Sequence, residues 1–172
     1  MARTLRMRRS QTAASGMLLV LLGIWGGLIP FIGPYFHYAY TPDKAWDYTT
    51  ARLWLEILPG AAAFLGGALL VSARSRMSAA FGAALAAAAG AWFALGTVLS
   101  PLWNHGHALG GVPAGATVAL RIAEQLGFFT GLGVVIVALA ALAFGHATAW
   151  PVVVGYRSRD NDDAEVTEPI SS

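Results

Sequence analysis

The sequence predicts an all-α protein, a transmembrane four-helix bundle. Hydrophobic residues make up 56% of its 172 residues and charged residues only 12%, and the mean hydropathy is +0.59. The charges gather at the two ends and in short connectors, which leaves four long intervals almost without charge. Each interval is close to the roughly 20 residues that a helix needs to cross about 30 Å of hydrocarbon. A β-barrel would instead show short segments of alternating hydrophobicity.

The four predicted spans cover residues 17–36, 53–71, 79–99 and 126–144. The first span follows the basic tract "RTLRMRR". Because no cleavage site of small residues comes after it, we expect a retained helix and not a signal peptide. In the second span, Pro59 and Gly60 interrupt the helix, since proline removes a backbone hydrogen bond. A kink there would shape packing or open a cavity below the helix ends.

The charges also predict the domain organisation and the orientation. We expect a basic cytoplasmic segment over residues 1–12, the four-helix transmembrane domain over 13–150 and a disordered cytoplasmic tail over 151–172. With the amino terminus inside, eight of the 11 Lys and Arg residues face the cytoplasm. This excess predicts a multi-pass protein of the cell membrane with both termini cytoplasmic. The tail is polar, acidic in its middle and without apolar periodicity, which is typical of disorder.

Composition and missing motifs exclude several classes of function. The chain has no cysteine, which excludes disulfide-stapled loops, thiolate metal sites and cysteine catalysis. The pI is near 9.3, but the net charge is only +2 and much of the basicity flanks the first span, so no nucleic-acid partner is expected. Phosphate-cradling glycine motifs, a nucleophile elbow and HExxH are missing, so we expect no enzyme. The sequence leaves the identity of any cofactor unknown.

Small residues recur at a spacing of four inside every span. Residues four apart share a helix face, and without side-chain bulk two helix backbones approach closely and gain dispersion contacts. The alternative is that high glycine and alanine content produces such pairs by chance, but all four spans carry them. The predicted packing positions are Gly23, Gly27, Gly66, Gly67, Gly82, Gly90, Gly127 and Gly131.

The two halves of the chain resemble each other. The stretch "GIWGGLIPFIGPYFH" aligns with "GAWFALGTVLSPLWNH", which matches Trp25 with Trp92 and Pro34 with Pro101. The next helices begin with "RLWLEILPG" and "RIAEQLG". This pattern predicts a 2+2 parallel internal repeat with a pseudo-two-fold axis along the membrane normal. The alternative is that helix ends in general favour proline, aromatic residues and ion pairs.

The repeat would place several polar side chains in one layer at the outer surface. Arg52 with Glu56 and Arg121 with Glu124 have the helical spacings of ion pairs, and charges at this depth are expected to pair. A sharper hypothesis combines the glutamates with three histidines around Zn²⁺ or another divalent metal. These histidines are His37, His105 and His107. In a third hypothesis, the two arginines bind a small anion or a lipid headgroup.

Three segments carry a resemblance to a known family. Residues 90–92, the stretch "RLWLEILPGAAAFLGG" and the stretch "EQLGFFTGLG" resemble segments of small four-helix integral membrane proteins of actinobacteria. The resemblance covers most of the spanning region. It implies the four-helix membrane fold, and it implies no activity and no site residue.

Two functions from different classes follow. The first is a non-enzymatic accessory or scaffold subunit of a membrane complex, because glycine-rich helix faces offer packing surfaces to a membrane protein or a second copy. The alternative is a small-ligand or metal-binding membrane protein, a transporter component or sensor that uses the outer layer. A lipid-modifying enzyme that uses Glu56 or Glu124 has no supporting motif. The lipid bilayer is a partner in every case.

Overall fold

A computed structural model gives the structure of residues 2–41, 44–107 and 109–148, with side chains described from Gln11 onward. It confirms an all-helical chain with four long apolar helices, each long and apolar enough to cross a membrane. The predicted tail over 151–172 lies outside the described residues. No strand occurs in the described ranges, where Tyr40 and Pro113 form an isolated antiparallel bridge. The four helices are Ala2–Ile32, Thr50–Ser72, Arg76–Leu99 and Val118–Thr148.

The first helix runs on through the basic residues of the predicted amino-terminal segment. Each of the other three begins at a hydroxyl side chain. Thr49, Ser75 and Thr117 accept a hydrogen bond from the backbone N–H three residues later. Such caps satisfy one of the four N–H groups that a helix start leaves without a partner. The cap residues therefore fix where the loops end and the helices begin.

The helices form a closed bundle in which the first packs on the second, the second on the third, the third on the fourth and the fourth on the first. The core is built largely from small residues. Ala63, Ala83 and Ala86 are fully buried beside Phe93 and Ile136. Small core residues let helix axes approach closely, which compensates in dispersion energy for the low side-chain volume.

Glycines lie at the closest approaches between helices. A Cβ added at Gly66 would lie 2.6 Å from the carbonyl oxygen of Gly82, and one at Gly90 would lie 2.8 Å from that of Gly133. Backbone cannot yield to such a side chain as a flexible group can, so these positions require glycine. The same relation joins Gly23 to Gly60 and Gly67 to Gly16.

Three of the predicted packing glycines have other surroundings. A Cβ added at Gly27 would meet no atom within 4 Å. A Cβ added at Gly60, in contrast, would lie 2.8 Å from the backbone nitrogen of Gly27. Gly127 faces the hydroxyl of Tyr38, which belongs to a loop. A Cβ added at Gly131 would lie 2.6 Å from the carbonyl oxygen of Leu126, on the other side of the interruption in the same helix. Spacing alone did not distinguish these positions from true helix contacts.

The predicted irregularity at Pro59 takes the form of a π-helical turn. Residues Leu53–Ile57 form this turn, in which the N–H of Leu58 donates to the carbonyl of Leu53 five residues back. In the same register residue 59 would donate to Trp54, but proline has no N–H. The indole Nε1 of Trp92 donates to that carbonyl at 2.9 Å instead. A side chain of the third helix thus completes the hydrogen bonding of the second.

The fourth helix is interrupted at Phe129, which divides it into Val118–Phe128 and Thr130–Thr148. Carbonyls in the last turn before such a break lack regular donors. One of them, the carbonyl of Gly127, accepts from the indole Nε1 of Trp25 at 3.3 Å. Each tryptophan of the aligned pair therefore donates to a helix irregularity in the other half of the chain.

Candidate functional site at the capped end

Two loops cover one end of the bundle, which we call the capped end. The loops comprise the described residues of 37–49 and 100–117, and they pair through their backbones. The N–H of Thr41 donates to the carbonyl of Val112 at 3.0 Å, and the N–H of Ala114 donates to that of Ala39 at 3.0 Å. The hydroxyl of Thr41 also accepts from the N–H of Val112 at 3.0 Å. The two loops therefore form one joined surface.

Glu124 fastens both loops to the fourth helix. Its side chain is fully buried. Oε1 accepts from the N–H of Ala39 at 3.2 Å and Oε2 accepts from the N–H of Gly115 at 2.9 Å. Hydrogen bonds to a carboxylate are stronger than neutral ones, and two of them satisfy a buried carboxylate well.

Arg121 takes part in the same attachment. Its Nε donates to the carbonyl of Gly115 at 2.7 Å. Arg121 therefore binds the carbonyl of the residue whose N–H binds Glu124. The expected ion pair between these two side chains is thus replaced, among the described contacts, by hydrogen bonds from both to a loop. The spacing of three residues places both side chains on one helix face, and the backbone of Gly115 lies between the guanidinium and the carboxylate.

Two tyrosines dock the first loop on the fourth helix. The hydroxyl of Tyr38 donates to the carbonyl of Ala123 at 2.7 Å, and that of Tyr40 donates to Oε1 of Gln125. The Tyr38 ring stacks on Phe128 with centroids 5.3 Å apart. Burial raises the pKa of the Tyr40 phenol to about 12, with a contribution from the charge of Glu124. The same two causes raise the pKa of Tyr38, so both phenols stay protonated donors.

Glu56 is also buried, at 3% exposure, but its surroundings differ. Its Oε2 has no hydrogen-bond partner among the described residues. The guanidinium of Arg52, itself 6% exposed, acts on it electrostatically. Arg52 also donates from Nη1 to the carbonyl of Asp47 at 2.7 Å and to that of Lys44 at 3.4 Å. Arg52 therefore holds the first loop as well as facing Glu56.

A cavity of about 230 Å³ lies beside Glu56 and Arg52. A water molecule takes about 30 Å³ of liquid volume, so this space holds several waters or one small molecule. Its wall combines one carboxyl and one guanidinium with hydroxyl groups, which gives it hydrogen-bonding capacity on several sides. The other lining residues are Tyr40, Thr41, Thr49, Ala51, Leu109, Gly110 and Gly111.

The three histidines do not line this cavity. His37 and His105 are exposed and adopt left-handed backbone angles, with φ of 56° and 50°. Both follow a short 3-10 turn that contains the matched proline, and histidine is among the residues enriched in that conformation. His107 is exposed too, and its carbonyl accepts from Nδ2 of Asn104 at 3.0 Å.

The histidines therefore terminate turns. Across the residues that the structure describes, no three His, Asp or Glu side chains are grouped as a metal site requires. The metal site stays a prediction without geometric support.

Several residues of this end were missed by the sequence analysis. Ser100 is fully buried, and its hydroxyl accepts from the N–H of Leu109 and donates to the carbonyl of Thr97, both at 2.7 Å. Tyr38, Tyr40 and Gly115 were missed as well. The alternation in "HYAY" was a usable signal, because alternate residues of an extended segment face one side. Nothing local in the sequence marks Gly115.

An aromatic pocket of about 460 Å³ adjoins the cavity and shares Ala51 and Leu109 with it. Trp54, Trp92 and Trp103 line this pocket, and the last two stack with ring centroids 5.7 Å apart. Tryptophan is enriched where hydrocarbon meets water. The pocket thus marks the level at which a membrane surface would meet the bundle.

The chain was compared with protein-family models, curated proteins and solved structures. No family model matches it, and neither the curated proteins nor the solved structures give a match. The resemblance to the actinobacterial membrane proteins therefore remains a sequence-based expectation, and function must be inferred from the geometry of this chain.

Proposed function

We propose that the chain is a non-enzymatic, multi-pass protein of the cell membrane, with the capped end outside and both termini in the cytoplasm. Large apolar side chains lie exposed along the helices, among them Leu21, Phe81 and Val134 at 56%, 64% and 58% exposure. Contiguous exposed apolar surface of this kind is typical of contact with lipid or protein. The excess of arginine at the opposite end supports the orientation.

Single-cysteine labelling tests the orientation directly, because the native chain has no cysteine. Val112→Cys lies at the capped end and Thr148→Cys at the end of the fourth helix, and both positions are exposed. In intact cells, a membrane-impermeant maleimide is expected to label the first variant and to reach the second only after permeabilisation. The reverse pattern would contradict the proposed orientation.

The proposed activity is binding of a small ligand in the cavity of the capped end. The observation that carries it is the buried Glu56 carboxyl, whose Oε2 has no donor among the described residues. An unsatisfied buried oxygen is costly, and such groups call for a water, an ion or a ligand. A primary ammonium fits this need, since it supplies several N–H donors from one atom.

The test uses two probes of opposite hydrogen-bonding capacity. Ethanolamine offers an ammonium and a hydroxyl donor, whereas tetramethylammonium carries the charge without a donor. Ethanolamine is expected to raise the melting temperature of the protein in mild detergent, because a ligand that binds only the folded state stabilises it. Tetramethylammonium is expected to leave the melting temperature unchanged.

A matched pair of variants locates the effect. Glu56→Gln removes the carboxylate from the cavity and should abolish the shift. Asp47→Asn makes the same change of net charge in the nearby loop, keeps the backbone carbonyl that Arg52 uses, and should preserve the shift. Equal responses in the two variants, or no response of the unmodified protein to ethanolamine, would refute the proposed site.

We also propose that the bundle is a 2+2 parallel repeat. It is supported by the reciprocal indole bonds of Trp25 and Trp92 and by the shared left-handed conformation of His37 and His105. In an experimental structure, residues 17–71 are expected to superpose on 84–144 with these pairs in register. A superposition that fails to pair them would exclude the repeat.

The scaffold function stays a prediction. It rests on the glycine-bearing helix faces, most of which are occupied within the bundle itself. Purification in mild detergent from the native membrane tests it, and a stoichiometric membrane-protein partner is the expected result. A protein that runs alone would count against the scaffold function while leaving the ligand site unaffected.

A further inference from the structure

The end of the bundle opposite the loops carries a second and larger cavity, of about 500 Å³. It lies where the first helix, the connector between the second and third helices, and the end of the fourth helix meet. Its floor is apolar and includes Leu70 and Ala147. Its polar lining consists of Thr12, Arg74, Ser75, Arg76 and His146.

Among the described residues, this lining is cationic and contains no carboxylate. From residue 57 to residue 123 the sequence has no Asp or Glu, so the two connector arginines have no acidic neighbour in their own segment. Both are exposed, with their charged heads available to an incoming anion. Two like charges in one connector repel each other, and a bound anion would relieve that repulsion.

Two further features favour an anion at this position. Ser75 caps the third helix by accepting from the N–H of Ser78 at 3.1 Å, so the positive end of that helix lies at the cavity. His146 is half-buried in the cavity wall, and its Nδ1 is a buried atom that has no hydrogen-bond partner in the described part of the chain. The cavity therefore combines cations, a helix start and an unsatisfied imidazole.

We infer that this cavity binds the phosphate of an anionic phospholipid. The cavity lies at the boundary of the proposed spans, between Ser72 and Arg76, which is the depth of lipid headgroups. Arginine recognises phosphate through paired N–H donors, and basic pockets between helix ends hold anionic headgroups. The apolar floor matches the first carbons of an acyl chain. The inference rests on membrane insertion and is independent of the ligand proposed for Glu56.

Two other anions have the same chemistry. One is free phosphate. The other is the acidic stretch of the chain itself, "DNDDAEVTE" at residues 160–168, which lies outside the described residues. The experiment therefore includes an arm for each of them.

Binding is measured on the full-length protein in mild detergent, by thermal shift and native mass spectrometry. The probes are phosphatidylglycerol, phosphatidylcholine and inorganic phosphate. We expect phosphatidylglycerol to bind and to raise the melting temperature, and phosphatidylcholine to do neither. Each arginine near a lipid surface contributes about 1 kcal/mol, so Arg74→Gln with Arg76→Gln should weaken phosphatidylglycerol binding about 30-fold.

A charge-matched control places the same two substitutions in the tail, at Arg157 and Arg159, and should leave binding unchanged. The melting temperature without lipid shows that each variant is folded. Equal binding of the two lipids, or unweakened binding in the connector variant, overturns the inference. Inorganic phosphate that binds as tightly as phosphatidylglycerol overturns the lipid assignment. A variant with the five tail acids neutralised decides the remaining case: if only that variant binds lipid, the tail is the occupant and the inference fails.

Discussion

Glu56 and Glu124, which the proposed repeat would pair, have opposite environments. Both are buried in a helix directly below the loops. Glu124 receives a backbone N–H on each oxygen, whereas Oε2 of Glu56 has no partner among the described residues and the side chain lines a cavity. Whether such a buried carboxyl is structural or available to a ligand therefore depends on the loop N–H groups beside it, and not on the helix that carries it.

The loop backbones explain the difference. Beside Glu124, Ala39 and Gly115 present their N–H groups to the carboxylate. Beside Glu56 the second loop contributes Gly110 and Gly111, which line the same cavity and have left-handed φ values of 108° and 69°. Such angles are readily adopted only by glycine. Part of the cavity wall beside Glu56 is therefore formed by two glycines of the second loop.

The largest expected loss of stability follows a substitution of Glu124. Glu124→Ala leaves two buried N–H groups without acceptors, each of which costs about 1 to 3 kcal/mol. We therefore expect a loss of about 3 kcal/mol in the free energy of unfolding, measured by denaturant titration in detergent micelles. A variant as stable as the unmodified protein would show that Glu124 does not fasten the loops.

The next effect concerns the π turn that leads to Glu56. Trp92→Phe removes the indole donor to the Trp54 carbonyl and should cost about 1 to 2 kcal/mol. Pro59→Ala restores a backbone N–H in the position of the missing donor, so in that background Trp92→Phe should cost less. A double-mutant cycle of unfolding free energies measures this coupling. Strictly additive costs would contradict the assignment.

Alkaline pH tests the docking of the first loop. The pKa of Tyr40 is raised from 10.0 to about 12, so the folded state favours the protonated phenol. Its contribution to stability is complete below pH 10 and is lost as the pH rises to about 12. Tyr40→Phe should therefore lose less stability over that interval, as followed by circular dichroism. Parallel losses in both proteins would exclude Tyr40 as a source.

The smallest effect is expected at Glu56 itself. Glu56→Gln should change the free energy of unfolding by less than about 1 kcal/mol, because the substitution takes no backbone donor from its acceptor. The same denaturant titration in micelles measures it. A loss as large as that of Glu124→Ala would mean that both glutamates are structural, and the contrast between them would no longer hold.

The sequence predicted the helices better than the loops, for a physical reason. Long apolar intervals are local signals, so all four helices were predicted, and the tryptophans of the aligned halves proved to have reciprocal bonds. Glu124 and Ala39 lie 85 residues apart, and no local pattern identifies such partners. The spacing of His105 and His107 resembled a metal motif, yet the turn at His105 is set by backbone conformation, which residue identity encodes only weakly.

The long-range attachment of the loops also sets an order of assembly. The first loop is synthesised well before Glu124, which accepts the hydrogen bond from the N–H of Ala39. Trp25 likewise precedes Gly127, whose carbonyl it binds, by 102 residues. Three helices and both loops are therefore synthesised before Glu124 can bind the N–H groups of Ala39 and Gly115. A chain that stops before Val118 would contain both loops but would leave the N–H groups of Ala39 and Gly115 without the carboxylate that binds them.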